Sequence, residues 1–172
     1  MHRERVAAFL LGAWILGSLF MIFVATQNFQ MADTLGNPET HAALRAMAGR
    51  LNQLFFVDWE WAELGLGLAL TAFLYFGIEK GLLAGLSAAP LILVAVQRFF
   101  VTPQMLALSA RLDNAAAADQ FGRFHAIYGI MEVVKLAATI VLAGLLLPNW
   151  RRARASVEVQ PVDYAHHGHI DR

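Results

Sequence analysis

Val6 to Thr26 is a run of 21 residues without a charged side chain, and a run of that kind leaves a chain few ways to fold. As a helix rising about 1.5 Å per residue it crosses a hydrocarbon core of roughly 30 Å. A backbone in lipid must satisfy its own hydrogen bonds, which a continuous helix does. Three further runs follow, from about Trp59 to Ile78, Leu82 to Val101 and Phe124 to Leu147. The second and third are separated only by Glu79, Lys80 and Gly81, a turn short enough to force an antiparallel hairpin. The expected fold is all-α: an integral membrane four-helix bundle forming a single domain over residues 1–150. Pro90 falls inside span three, where neighbouring helices can satisfy the carbonyl it frees, and it predicts a kink.

The first run is read as a retained anchor. A secretory signal peptide has an apolar core of only about 7 to 15 residues followed by a small-x-small cleavage site, whereas Gln27, Asn28 and Phe29 follow this one. The chain of 172 residues is 58% hydrophobic, with 13 Lys plus Arg against 13 Asp plus Glu. Such a neutral balance offers no basic face to displace counterions from phosphates, so nucleic acid is not an expected partner. The absence of cysteine excludes disulfides, zinc-thiolate sites, iron-sulfur clusters and thiol catalysis.

Arg3 and Arg5, Lys80, and Arg151, Arg152 and Arg154 lie at alternate ends of the spans and predict cytoplasmic termini by the positive-inside rule. Trp59, Trp61 and Trp150 fall where an aromatic belt meets headgroups. On the outer side, Asn37 and Pro38 form a helix-start signal, and Leu44, Met47, Ala48, Leu51, Leu54 and Phe55 recur at helical spacing. That pattern predicts an amphipathic outer helix between spans one and two, on the surface or capping the bundle. Thr102 to Phe121 predicts a short helix started by Pro103, with Asp113 and Asn114 opening an alanine run. Residues 151–172 read as a disordered cytoplasmic tail whose His166, His167 and His169 are not expected to form a metal site.

The informative residues lie on span four. His125, Tyr128, Glu132, Lys135 and Thr139 are spaced by three and four and form one polar stripe. A charge near the centre of a membrane helix costs about 2.5 to 3.5 kcal/mol, while each Leu, Ile, Val or Phe returns only about 0.3 to 0.6. The twelve such residues between Phe124 and Leu147 barely offset Glu132 and Lys135, so the stripe must face the bundle interior. Partners are available there: Glu60 and Glu63 on one face of span two, with Gly65 and Gly67 permitting close approach, Gln97 and Arg98 on span three, and Gln27 and Asn28 on span one. The expected cluster is Glu132, Lys135, His125, Tyr128, Glu63, Arg98 and Glu60.

Such a cluster can be structural, since opposed charges one turn apart neutralise each other and interhelical polar contacts hold small bundles together. It can also hold or pass a proton or cation, because intramembrane ionisable groups often mark ion pathways. A haem or metal centre fits less well: only His125 lies near a span, and the Glu-x-x-His spacing of di-metal bundles does not occur. The expectation is a non-enzymatic structural or accessory subunit of a membrane complex, with no catalytic residues, no metal and no cofactor. The alternative is a small proton- or cation-coupled transporter or channel, and behind it a membrane oxidoreductase. Lipid, a membrane-protein partner or a second copy of the chain are the expected neighbours.

The stretch from Phe121 to Leu136, FGRFHAIYGIMEVVKL, resembles the last helix of an uncharacterised bacterial four-helix membrane family carrying a domain of unknown function. That family is distantly related to the eukaryotic transmembrane protein linked to platinum-drug tolerance. Gln97 to Met105, QRFFVTPQM, resembles its third helix and exit, and Leu51 to Phe56, LNQLFF, its entry to the second. The anthrone-oxygenase-like proteins share the amphipathic outer segment and the Arg-x-His start of the last helix, but Tyr128, Glu132 and Lys135 fit the first family better. The resemblance implies a multi-pass protein of the bacterial inner (cytoplasmic) membrane and carries no substrate with it.

Overall fold

Four helical rods make up the computed structural model, which describes residues 2–78 and 81–155. Helix α1 is His2–Leu35, and α2 is His41–Phe73, continued by a π-helical turn over Leu74–Ile78. Helix α3, Leu82–Val96, passes through a second π-turn, Gln97–Val101, into α4, Thr102–Ser109, and α5 is Ala115–Ala155. No strand occurs among the described residues. Lys80, Glu79 and residues 156–172 lie outside the described residues, and with them the three tail histidines and the expected hairpin turn itself. The α5 helix nevertheless continues through Ala155, past the expected start of the tail at residue 151.

Short polar residues shape the entry to two of the rods. Asn37 Oδ1 accepts hydrogen bonds from the backbone N–H of Glu39 at 3.1 Å and of Thr40 at 2.9 Å. Asn114 does the same for Ala116 and Ala117, so the α5 helix starts at the alanine run rather than at Phe124. Asn114 thereby satisfies N–H groups that the start of α5 leaves unpaired, whereas the Asn37 bonds close the turn before α2, whose N-cap, Thr40, makes no side-chain cap. Gly81 enters α3 at φ +124°, a backbone conformation that residues with a Cβ rarely adopt.

The amphipathic outer segment is helical but is not a separate surface helix. It is the first half of α2, because no Gly or Pro stands between Phe55 and Trp59 and extending a formed helix is cheaper than restarting one. Pro103 likewise stands in the first turn of α4, in direct continuation of α3, and not in a detached helix. Helix α3 runs through Pro90 from Leu82 to Val96.

Each rod buries one stripe at helical spacing. On α1 it is Ala7, Leu11, Trp14 and Ser18; on α2, Glu60, Glu63, Gly67, Leu70 and then Leu74. On α3 and its π-turn it is Ser87, Pro90, Val94 and Gln97, and on α5 Tyr128, Glu132, Lys135, Thr139, Leu142 and Leu146. Helix α1 packs on α2 and α5, α2 on α3, and α3 and α4 on α5. The interior is layered. Ala7, Leu11, Leu70, Leu74, Leu83, Ala84, Leu142 and Leu146 make an apolar layer, and the polar residues lie above it.

The outside inverts the pattern of a water-soluble protein. Phe9, Leu16, Phe20 and Phe23 on α1, Ile92 on α3, Phe99 and Phe100 on its π-turn, and Ile130, Val133, Ile140 and Val141 on α5 are all exposed. Arg5–Leu35, Leu82–Ser109 and Ala115–Leu146 are long and apolar enough to cross a membrane. These three helices support a helical membrane protein in contact with lipid. Over its described residues α2 is not among them, and it carries Asp58, Glu60 and Glu63.

Close approach depends on two glycines. A Cβ at Gly17 would fall inside the indole ring of Trp59, and one at Gly67 would stand 2.8 Å from the Trp14 ring and 2.9 Å from Leu91. Gly65, expected to share that role, faces open space. Replacing Gly17 with Ala should therefore destabilise the fold by about 1 to 3 kcal/mol, the usual range for overpacking, while Gly65→Ala should be nearly neutral. Denaturation of the two purified variants in the same detergent, followed by circular dichroism, measures the difference.

Candidate functional site: a buried lysine hub

Lys135 has no exposed side-chain surface, and its ammonium uses all three of its hydrogen-bond donors. Nζ donates to Glu63 Oε2 at 2.5 Å, to Glu132 Oε1 at 2.7 Å and to Gln97 Oε1 at 3.2 Å. Glu132 is one turn away on α5, Glu63 comes from α2, and Gln97 opens the π-turn after α3. The fourth rod joins through Glu63, whose Oε1 accepts from Trp14 Nε1 at 2.9 Å and from Ser18 Oγ at 3.0 Å, both on α1. Gln97 closes the network by donating from Nε2 to Glu132 Oε1 at 3.1 Å and to the Tyr128 carbonyl at 3.4 Å.

One helical turn along α2, a second group gathers around Glu60. Its Oε1 accepts from Thr102 Oγ1 at 2.5 Å, and its Oε2 lies 3.9 Å from Arg98 Nε. The Tyr128 hydroxyl neighbours the same carboxyl, and the Tyr128 ring packs edge-on against Phe56 at 5.7 Å between centroids. The Arg98 guanidinium lies over the Trp61 ring, 4.8 Å from its centroid. Glu60 Oε2, Arg98 Nε and the Tyr128 hydroxyl are buried and lack hydrogen-bond partners.

The π-turn explains how one segment serves both groups. Its wider winding, in which the Thr102 N–H bonds to the Gln97 carbonyl five residues back, keeps Gln97 against Lys135 while turning Thr102 onto Glu60. Further out, Asn28 Nδ2 donates to Asn52 Oδ1 at 2.6 Å, and Asn52 Nδ2 donates to the Ala25 carbonyl at 3.2 Å. At the rim Asp33 accepts from Arg45 at 2.6 Å and lies 3.1 Å from His41.

Of the seven expected cluster residues the structure brings six together: Glu132, Lys135 and Glu63 in the hub, and Glu60, Arg98 and Tyr128 beside it. His125 does not join them; it is exposed and stacks on Phe121, 5.9 Å between ring centroids. Trp14, Ser18 and Thr102 complete the cluster without having stood out in the sequence. Their signal was position alone: each falls on the inward stripe of its own helix. Among the described residues no three His, Asp or Glu side chains stand close enough together to hold a metal ion.

Comparison with protein-family models, with characterised proteins and with solved structures gives no match for this chain.

Removing one member of a buried ion network leaves the others uncompensated, at about 3 to 5 kcal/mol, whereas replacing the whole network by neutral residues is often harmless. Lys135→Met alone should then unfold far more readily than the triple variant Glu63→Gln, Glu132→Gln, Lys135→Met. Urea titration of both in detergent gives the comparison, and equal losses would dissociate the hub from helix packing.

Proposed function

We propose that this chain is a four-span membrane protein whose buried lysine hub organises the helices, and that it serves as a non-enzymatic structural or accessory subunit of a membrane complex. The observation that carries the reading is that one ammonium, through three hydrogen bonds and the carboxylate of Glu63, ties all four rods together. The donors and acceptors of that hub satisfy one another within the chain, which is the pattern of a fixed core rather than of a site waiting for a substrate.

The count of four spans is supported by the way α2 disposes of its charges. Glu60 and Glu63 point inward, and the outward residues from Trp61 to Phe76, among them Leu68 and Tyr75, are uncharged. With α2 counted, the reading is an antiparallel four-helix bundle that begins and ends on one side, the cytoplasmic side by the distribution of Arg3, Arg5 and the arginines after Trp150. Location in a bacterial inner membrane, and membership of the four-helix family that Phe121 to Leu136 resembles, belong to the same proposal.

Extraction of the full chain in mild detergent should recover a second membrane protein in fixed ratio, and the triple neutral variant of the hub should retain it as long as it stays folded. Proteoliposomes of the purified chain should show no ion flux above empty vesicles. A flux that the folded triple variant abolished would refute the structural reading and establish a transporter or channel.

A further inference from the structure

The cluster does not balance as five fully ionised groups. Glu60, Glu63 and Glu132 set three carboxylates against two cations, Lys135 and Arg98, and both Glu60 and Glu63 are fully buried. An uncompensated charge in an apolar interior costs far more than the binding of a proton. Hydrogen bonding identifies which carboxylate is positioned to take it. A protonated carboxyl needs an acceptor for its own O–H. Both Glu63 oxygens are already taken by donors, Oε1 by Trp14 Nε1 and Ser18 Oγ and Oε2 by Lys135 Nζ. Glu132 Oε1 receives the ammonium of Lys135 and the amide of Gln97. Glu60 differs: Thr102 occupies Oε1, while Oε2 is buried without a partner, as is the Tyr128 hydroxyl beside it.

We infer that Glu60 and Tyr128 form a proton-binding site, in which Glu60 carries the proton on Oε2 and a small side-chain movement lets it donate to the Tyr128 hydroxyl oxygen. One proton on Glu60 leaves two anions facing two cations, and that movement gives both orphaned atoms a partner. The groups that face Glu60 from the other elements are Thr102 on α4, Arg98 on the π-turn, and Tyr128 and Lys135 on α5. On release the proton passes to water and the carboxylate is left 3.9 Å from Arg98 Nε, which is also without a partner and close enough to pair with it by a small side-chain movement. Arg98 is the partly exposed member of the group, with 19% of its side-chain surface accessible, so exchange of the proton runs past it. The inference requires the buried cluster and is independent of the accessory role.

Infrared spectroscopy of the full chain in lipid nanodiscs, in H2O and D2O at neutral pH, tests the site. The wild-type protein should show the carbonyl stretch of a protonated carboxyl, a region clear of amide bands, with a small shift on deuteration. That band should vanish in Glu60→Gln and move to higher wavenumber in Tyr128→Phe, where the O–H loses its acceptor. A wild-type protein without the band, or a folded Glu60→Gln protein that keeps it, overturns the inference. Should Glu60→Gln fail to fold, the Tyr128→Phe comparison decides: an unshifted band places the proton elsewhere.

Discussion

A lysine ammonium with no exposed surface holds its charge in an apolar interior only if oxygens replace its water, and that requirement organises this protein. Lys135 meets it with one carboxylate from α2, one from its own helix and an amide oxygen from the turn after α3. Each of these groups then needs partners of its own. Glu63 draws in Trp14 and Ser18 from α1, and Gln97 is fixed by Glu132 and the Tyr128 carbonyl. In lipid, the exclusion of apolar side chains from water gives helices no reason to prefer one neighbour over another, so register comes from close packing and polar contacts of this kind. The apolar layer of Leu70, Leu74, Leu142 and Leu146 fills space beside the hub and would tolerate other pairings. The hub would not.

Local irregularity is concentrated where the chain meets that requirement. The π-turn at Gln97–Val101 is what allows one strip of helix to serve both Lys135 and Glu60, a task beyond regular winding because consecutive turns of an α-helix repeat the same face. The glycines act in the same sense. Gly67 lets the Trp14 ring lie against α2, in register with its indole N–H bond to Glu63, and Gly17 accepts the Trp59 ring in return. The two tryptophan rings are thus spacers between α1 and α2, and that of Trp14 carries a donor at the level where the hub needs one.

Much of this was legible in the sequence. Uncharged runs located three of the apolar helices, Asn114 marked the start of α5, Asn37 marked the turn that leads into α2 rather than its cap, and the spacing of Tyr128, Glu132, Lys135 and Thr139 identified the inward face of α5. The merging of the outer amphipathic segment with α2 was not legible, because its periodicity is the same whether the helix stops at Phe56 or continues. His125 misled for a related reason. It lies about 80° round the helix from Lys135, at the edge of the stripe, and there its ring turns outward onto Phe121. Trp14 and Ser18 were invisible as partners, since in an apolar run both read as ordinary membrane residues. Their role depends on the level at which α1 meets Glu63, which only tertiary packing sets.

The chain contains two lysines, Lys80 and Lys135, so a Lys80→Arg protein carries one lysine nitrogen to observe. Solid-state NMR of that protein in lipid bilayers, labelled with 15N-lysine and 13C-glutamate, reports directly on the hub. A charged ammonium signal, protected from exchange with water and correlated through space with two glutamate carboxylate carbons, is the predicted result. A lysine signal that exchanges freely with water, or one with no carboxylate correlation, would contradict the claim that Lys135 holds these helices together.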